Sequence, residues 1–356
     1  MSELKTNKIS TNDQNNVAID NALGLKSYTT AQRDALTSVA GDTIYNSDDS
    51  KVQVYTGSAW EDLGGVDAFS LEYLIIAGGG GGGGARDNGG HGGGGGAGGY
   101  LCNVLGETSG GGDTLPPIFI GKGDTYEVSV GAGGTGAAAG QNNGTSGSVS
   151  YINSIYATGG GWGSGYSRAS AITGGSGGGA GWASTPSSGL ANQGFDGGVY
   201  GNYGTNYADR SGGAGGGASA AGGSGGTGGS SGTAGNGGNG LASSITGSSV
   251  TRAGGGGGGG NVGGSGGTGG GGAGANVNNN GSAATVNTGS GGGAGASSSA
   301  SYAGGNGGSG VVILRWATAD ATIGATRTGL TDGGVQTDGT DSYIVFTEGT
   351  GNITFS

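Results

Sequence analysis

Proline is nearly missing from this chain, with 3 in 356 residues, and so are cysteine (1), histidine (1) and methionine (1). Each scarcity excludes something. Too little proline removes the collagen triple helix, which needs Pro to stiffen a strand that has Gly at every third position. A single cysteine, Cys102, leaves no intrachain disulfide, so stability has to come from hydrogen bonds, packing or oligomerisation. One cysteine and one histidine are too few for a structural zinc site, and a nucleophilic triad needs a histidine beside its Ser or Cys. Charged residues make up only 10% of the chain, and 12 Lys and Arg against 23 Asp and Glu give a net charge of −11. Without clustered cations a nucleic-acid partner is not expected. No apolar run approaches the roughly 18 residues of a membrane span. The start, Met1-Ser-Glu-Leu-Lys-Thr-Asn-Lys, carries no apolar h-region, so no secretory signal is expected, and release by cell lysis fits that reading.

What is abundant is glycine: 102 residues, roughly four times the usual share of about 7%. Such an excess disfavours order, because Gly loses the most backbone entropy on folding. Its borders argue otherwise. A flexible Gly/Ser linker has no reason to be framed by apolar strands or punctuated by Trp and Tyr. The strands are Phe69 to Ala77, Tyr100 to Val104, Val149 to Ala157 and Val311 to Trp316, with a hairpin expected from Leu115–Ile120 and Tyr126–Val130 across Gly121-Lys122-Gly123-Asp124. Bracketing the glycine region, they are expected to pair into one sheet at its base.

Triplets such as Ala221-Gly222-Gly223-Ser224-Gly225-Gly226 match a helix of about three residues per turn, the polyproline II geometry. Its N–H and C=O groups point outward, and only Gly lets neighbouring axes come close enough to satisfy them. Uninterrupted runs (78–84, 92–96, 110–112, 254–260) are therefore expected as interior rods, with Ala, Ser, Thr and Asn on outer faces and turns. The stretch Asn276 to Asn280 reads as a loop between rods.

The ends have ordinary composition. Residues 28–39 suggest a short helix capped by Thr29. Beyond it, Thr43 to Leu63 alternates around Ser47-Asp48-Asp49-Ser50 as a hairpin plus a third strand, with Tyr45, Val52, Val54 and Trp60 as the expected apolar face. Asp341–Thr347 and Asn352–Phe355 suggest a terminal hairpin. The expected fold class is mostly β and irregular. It comprises an N-terminal attachment or oligomerisation module (1–65), a polyglycine II bundle framed by β-strands (66–316) and a C-terminal β segment (317–356).

The entry Leu71-Glu72-Tyr73-Leu74-Ile75-Ile76-Ala77-Gly78-Gly79-Gly80 and the exit Gly308-Ser309-Gly310-Val311-Val312-Ile313-Leu314-Arg315 resemble those of glycine-rich tail-fibre and adhesin proteins of bacteriophages. The segments Asp42-Thr43-Ile44-Tyr45-Asn46 and Val54-Tyr55-Thr56-Gly57-Ser58-Ala59-Trp60 look like a module recurrent in phage structural proteins. The resemblance implies a sandwich of polyglycine II helices whose distal loops contact a host receptor. A departure from such adhesins, which usually sit on a separate fibre, is that this chain carries its own N-terminal module.

The expected role is thus a virion tail fibre or fibre-tip adhesin, with no enzymatic activity and no cofactor. Its expected partners are a host surface glycan or outer-membrane protein and other tail proteins through the N-terminal module, with a homotrimer as the assembly. A passive structural fibre and an ice-binding polyglycine II protein are the alternatives. Receptor contact is expected from Trp162, Tyr166, Arg168, Trp182, Phe195, Tyr200, Tyr203, Tyr207 and Arg210, placed where rods turn and offering rigid aromatic area. Against this stands packing of the same rings as plugs between rods. His91 reads as a turn or surface residue and Cys102 as a buried packing thiol.

Overall fold

The computed structural model describes residues 25–63, 68–87, 89–140, 143–166, 170–201, 209–226 and 232–356. The chain divides into two compact units, Met1–Asp67 and Ala68–Ser356. The first holds β1 (Ser27–Tyr28), α1 (Thr30–Asp34), β2 (Thr43–Asn46), β3 (Lys51–Tyr55) and β4 (Trp60–Asp62) in a sheet of order β1-β2-β3-β4. Thr29 and Gln32 form a capping box: the Thr29 hydroxyl accepts the Gln32 N–H at 3.2 Å, and the Gln32 side chain accepts the Thr29 N–H at 3.0 Å. The helix stops at Asp34, shorter than the stretch 28–39 suggests.

In this module the buried face is not the expected one. Register pairs Tyr45 with Val52 and Thr43 with Val54 on one side, and that side leaves Tyr45 exposed. The other side buries Ile44, Asn46 and Gln53, with Trp60 against Tyr55 at 5.4 Å. Polar Asn46 and Gln53 are tolerated there because they bond each other at 3.1 Å, and Gln53 Oε1 also accepts from Arg33 at 2.9 Å.

The second unit begins with β5 (Ala68–Ile76) and β6 (Tyr100–Cys102), then β7 (Ile118–Gly121), β8 (Thr125–Val130), β9 (Ser150–Ile152) and β10 (Ile155–Ala157). After the small pair β11 (Leu241–Ser243) and β12 (Val250–Arg252) come β13 (Val311–Ala317), β14 (Leu330–Asp332), β15 (Gln336–Asp338) and β16 (Asp341–Thr354). The main sheet runs β10-β9-β8-β16-β13-β5-β6, with β14 and β15 also on β16 and β7 on β5. Entry and exit strands are direct antiparallel neighbours, from Val311↔Ile76 to Arg315↔Glu72. Their glycine-side halves, 73–76 and 311–314, are apolar without alternation because both faces are covered there. Leu71, Tyr73, Ile75, Val312 and Leu314 pack on one side with Phe346, Ile353 and Phe355. Leu74, Ile76, Val311 and Ile313 pack on the other with Ala97, Ala218, Ile245 and Ala253. Each buried Leu or Ile contributes about 1.5–3 kcal/mol.

Two expected hairpins do not form. Segments 118–121 and 125–130 are joined by a turn but part company: β7 pairs with β5, and β8 with β16 and β9. The C-terminal residues make one 14-residue strand, β16, which fills the centre of the sheet. Residues 317–356 therefore belong to the sheet of the glycine-rich unit.

The glycine rods are read from their hydrogen bonds. In the rod 78–84 and its flanks, Ala77, Gly80 and Gly83 donate to Gly99, Gly96 and Gly93; Gly78 and Gly81 to Ser148 and Thr145; Gly79, Gly82 and Ala85 to Gly308, Gly305 and Tyr302. Every step of three residues returns to the same neighbour, which runs antiparallel, as a threefold helix requires. The carbonyls of Gly78 and Gly81 accept from Gly160 and Gly163, those of Gly79 and Gly82 from Gly134 and Ala137, and those of Gly80 and Gly83 from Gly292 and Gly295, all in parallel rods. This rod is thus enclosed by six others. A Cβ on Gly81 would lie 2.0 Å from the Thr135 carbonyl oxygen, so no side chain fits there.

The runs 92–96 and 254–260 are buried rods of the same kind, and surface rods show the complementary pattern. In 232–240, Ala234, Gly235, Gly237, Gly238 and Gly240 donate to neighbours, while Thr233, Asn236 and Asn239, every third residue, are exposed. The run 110–112 is instead a turn, with Gly111 and Gly112 at φ of 84° and 99°.

Candidate functional site

The rods reverse direction at two levels. One lies beside the sheet, where β5, β6 and β13 feed or receive them. At the opposite level Ala85 bridges to Tyr302, Gly201 to Ser211 and Asn279 to Ala296. There the rods end in side chains that are not glycine, and several meet.

Tyr166, at the end of rod 159–165, lies against Gly90: a Cβ at Gly90 would fall 2.2 Å from its ring. Tyr166 also stacks on Trp182, with centroids 4.3 Å apart and planes at 8°. A guanidinium flanks each ring. Arg86 lies 5.4 Å from the Tyr166 centroid and Arg210 lies 5.2 Å from that of Trp182. Cation, ring, ring and cation thus join the ends of four rod segments, and every pair of surfaces attracts, because a guanidinium favours the negative face of an aromatic ring. Arg86 also pairs with Asp87 at 3.0 Å.

Below this stack, His91 is 1% exposed. Its Nδ1 accepts the Ser297 N–H at 3.3 Å, which leaves the ring proton on Nε2, a buried donor with no partner. Burial and, secondarily, the Arg210 charge pull its pKa down from 6.5 to about 4, so it is neutral at ordinary pH. His91 is therefore not the surface residue its glycine surroundings suggest; it sits where rod 92–99 starts, and its ring fills lattice space. The Tyr200 hydroxyl is buried without a partner, and burial first, with nearby Tyr166, raises its pKa against the lowering effect of Arg210.

The expected residues thus divide. Tyr166, Trp182, Tyr200 and Arg210 come together, all half-buried. Trp162 lies within its rod, half-buried, with its indole N–H covered and unpartnered. Phe195 is at the sheet-side level, where its N–H donates to Gly217 and its carbonyl accepts from Gly177. Arg168, Tyr203 and Tyr207 lie outside the described residues. Arg86 escaped the sequence reading, although it is the first charged residue after the run 78–84 and so marks a rod end.

At the sheet side, a cavity of about 470 Å³ is lined by Glu72, Asn103, Leu105, Glu107 and Leu115 among others. Glu107 accepts from the Ser244 N–H at 2.8 Å and its hydroxyl at 2.6 Å, and the Cys102 thiol donates to it at 3.4 Å. Burial pushes the Cys102 thiol up to about 12, the condition of a packed thiol and not of an activated nucleophile. Among the described residues no three His, Cys, Asp or Glu side chains gather as a metal site. Nor is any helix among them long and apolar enough to cross a membrane.

A family model described as a glycine-rich domain matches residues 56–317. Among curated proteins none matches the chain.

Proposed function

The chain belongs to the glycine-rich domain family, and we propose that it is a virion structural protein, a phage tail fibre or fibre-tip adhesin, whose rod ends bind a host surface receptor. Fold alone does not assign such a role. The observation that carries it is the Arg86–Tyr166–Trp182–Arg210 stack, which gathers aromatic and cationic groups at the rod ends away from the sheet. A receptor there would meet ring edges and guanidinium N–H groups on a rigid lattice, an arrangement suited to glycan hydroxyls and acidic groups or to a protein loop. In this reading the N-terminal module joins the chain to other tail proteins, as a homotrimer, and the particle is released by lysis. No catalysis is assigned.

A second reading, a passive structural fibre, is favoured by the stack itself. The facing surfaces of Tyr166 and Trp182 are covered by each other and are not open to a sugar ring. Binding of labelled full-length chain to a panel of whole bacterial cells and arrayed bacterial surface glycans separates the two. Receptor binding predicts retention on a subset, lost in Arg86→Ala and in Trp182→Ala chains that stay folded. No retention anywhere supports the passive fibre, and retention untouched by both substitutions overturns the stack as the binding site.

A further inference from the structure

Five of the Asn-Gly dipeptides in the sequence share one arrangement at the lattice surface. In each, the Asn side-chain oxygen accepts a backbone N–H from a neighbouring rod, and the following Gly N–H donates to a carbonyl of that rod. Asn236 accepts from Ser265 at 2.9 Å while Gly237 donates to Ser265 at 2.8 Å. Asn239 accepts from Thr268 at 3.3 Å and Gly240 donates to Thr268 at 2.9 Å. Asn280 accepts from Ala303 at 2.8 Å and Gly281 donates to Ala303 at 2.9 Å. At Asn306 and Asn143 the two contacts fall two residues apart on the partner rod. Asn306 accepts from Gly136 at 2.8 Å as Gly307 donates to Gly134 at 2.9 Å. Asn143 accepts from Gly165 at 2.8 Å as Gly144 donates to Gly163 at 3.2 Å. Because a backbone N–H can only donate, the amide orientation is fixed in all five.

The arrangement follows from the lattice. An outer rod lacks a neighbour on one side, so an N–H there has no carbonyl to meet. An amide oxygen at the outward position of the adjacent rod supplies one.

Asn followed by Gly is also the dipeptide most prone to spontaneous deamidation. The Gly backbone nitrogen adds to the Asn side-chain carbonyl carbon, forming an N–C bond as it loses its proton, and ammonia leaves. Water then opens the cyclic imide at either carbonyl, giving aspartate or isoaspartate. The first step needs a mobile Asn side chain and a Gly nitrogen free to lose its proton.

We infer that Asn143, Asn236, Asn239, Asn280 and Asn306 are latent deamidation sites held shut by this two-point clamp, so that they react only when the rods part. Burial is not the protecting element: all but Asn143 are exposed. Opening matters structurally, since isoaspartate inserts a methylene into the main chain and shifts the three-residue repeat that each rod needs. The sixth Asn-Gly, at Asn88, lies outside the described residues.

The test is incubation of the full chain at mildly alkaline pH, folded and in denaturant, followed by peptide mass mapping and enzymatic isoaspartate labelling. The expected result is conversion at all five sites in denaturant and a rate at least about tenfold lower when folded, set by local opening. Equal rates in the two states overturn the inference. A variant localises the effect. Ala303→Pro removes only the N–H that Asn280 holds, and a polyproline II rod already has the backbone angle of proline. In the folded variant Asn280 is expected to deamidate several-fold faster with Asn236 and Asn239 unchanged, and an unchanged Asn280 overturns the clamp as the cause. The wild-type comparison decides the matter by itself should this variant fail to fold.

Discussion

Tyr166 and Trp182 meet ring on ring, 4.3 Å apart and 8° from parallel, so each uses on the other the flat surface that a ligand would otherwise occupy. The pair fastens two rod ends. Trp182→Ala is expected to cost about 2 kcal/mol, less than for a fully buried Trp because this one is half-exposed. A double-mutant cycle with Tyr166→Ala, read by urea unfolding, is expected to return a coupling of about 1 kcal/mol. Additive losses would show that the rings merely lie close.

Gly81 sits in the fully enclosed rod, where an added methyl meets the Thr135 carbonyl oxygen at 2.0 Å. Gly81→Ala is expected to destabilise by about 3 kcal/mol or more, since six surrounding rods cannot all yield. Gly333, whose nearest neighbour to a built Cβ is 3.6 Å away, is the control. There the same change stays within about 0.5 kcal/mol. Thermal unfolding of the two variants, side by side, checks both.

Much of the lattice could be read beforehand, and the reason is local. Runs such as 78–84 are all glycine because every side of that rod is occupied, while Gly-Gly-X marks a rod with one open side, as at Thr233, Asn236 and Asn239. That the apolar segments 69–77 and 311–316 share one sheet was visible in their composition, though not that they lie side by side. Other features depend on what lies across the fold. Nothing in the segment 115–130 tells β7 to pair with β5 instead of β8, because the competing partner, β16, comes from the far end of the chain. In the N-terminal hairpin the more apolar face, with Tyr45, Val52 and Val54, is not the most buried one. The buried one is set by α1, whose Arg33 bonds Gln53. His91 is hidden for the same kind of reason: the Ser297 N–H that it accepts is distant in sequence. Of the candidate site, sequence supplied Tyr166, Trp182, Tyr200 and Arg210, but not that they meet, nor the part played by Arg86.

His91 makes stability depend on acid. Unfolded, its imidazole takes up a proton near 6.5; folded, buried among rods and near Arg210, it does so only near 4. The unfolded chain therefore binds the proton first as pH falls, and stability declines between those two values before levelling off. The loss amounts to about 3 kcal/mol. Urea midpoints measured from pH 7 to pH 4 should fall for the wild type, and the His91→Gln chain should lack this component of the decline.

Glu72 and Arg315 form a cross-strand pair in the entry and exit strands, at 2.6 Å between Oε2 and Nε. With side chains 26% and 14% exposed, they are partly shielded from solvent. Glu72→Gln is expected to cost about 1 kcal/mol, and high salt should narrow the gap to wild type. Unfolding at low and at 1 M sodium chloride (roughly a 3 Å Debye length) measures it. A gap independent of salt would assign the loss to packing instead of charge.

The chain leaves the main sheet for the rods three times, between β5 and β6, between β8 and β9 and between β10 and β13, and each time it comes back to a strand of that same sheet. Topologically, the largest part of the glycine body, residues 158–310, is one insertion between β10 and β13. Rods enlarge that insertion in pairs, one outward and one returning, and any even number brings the chain home to Val311. Deletion or duplication of one such pair at the lattice edge would change the girth of the body without altering a residue of the sheet. The growth in size that most folds resist, because each new element must find its own core, is here a matter of adding another row.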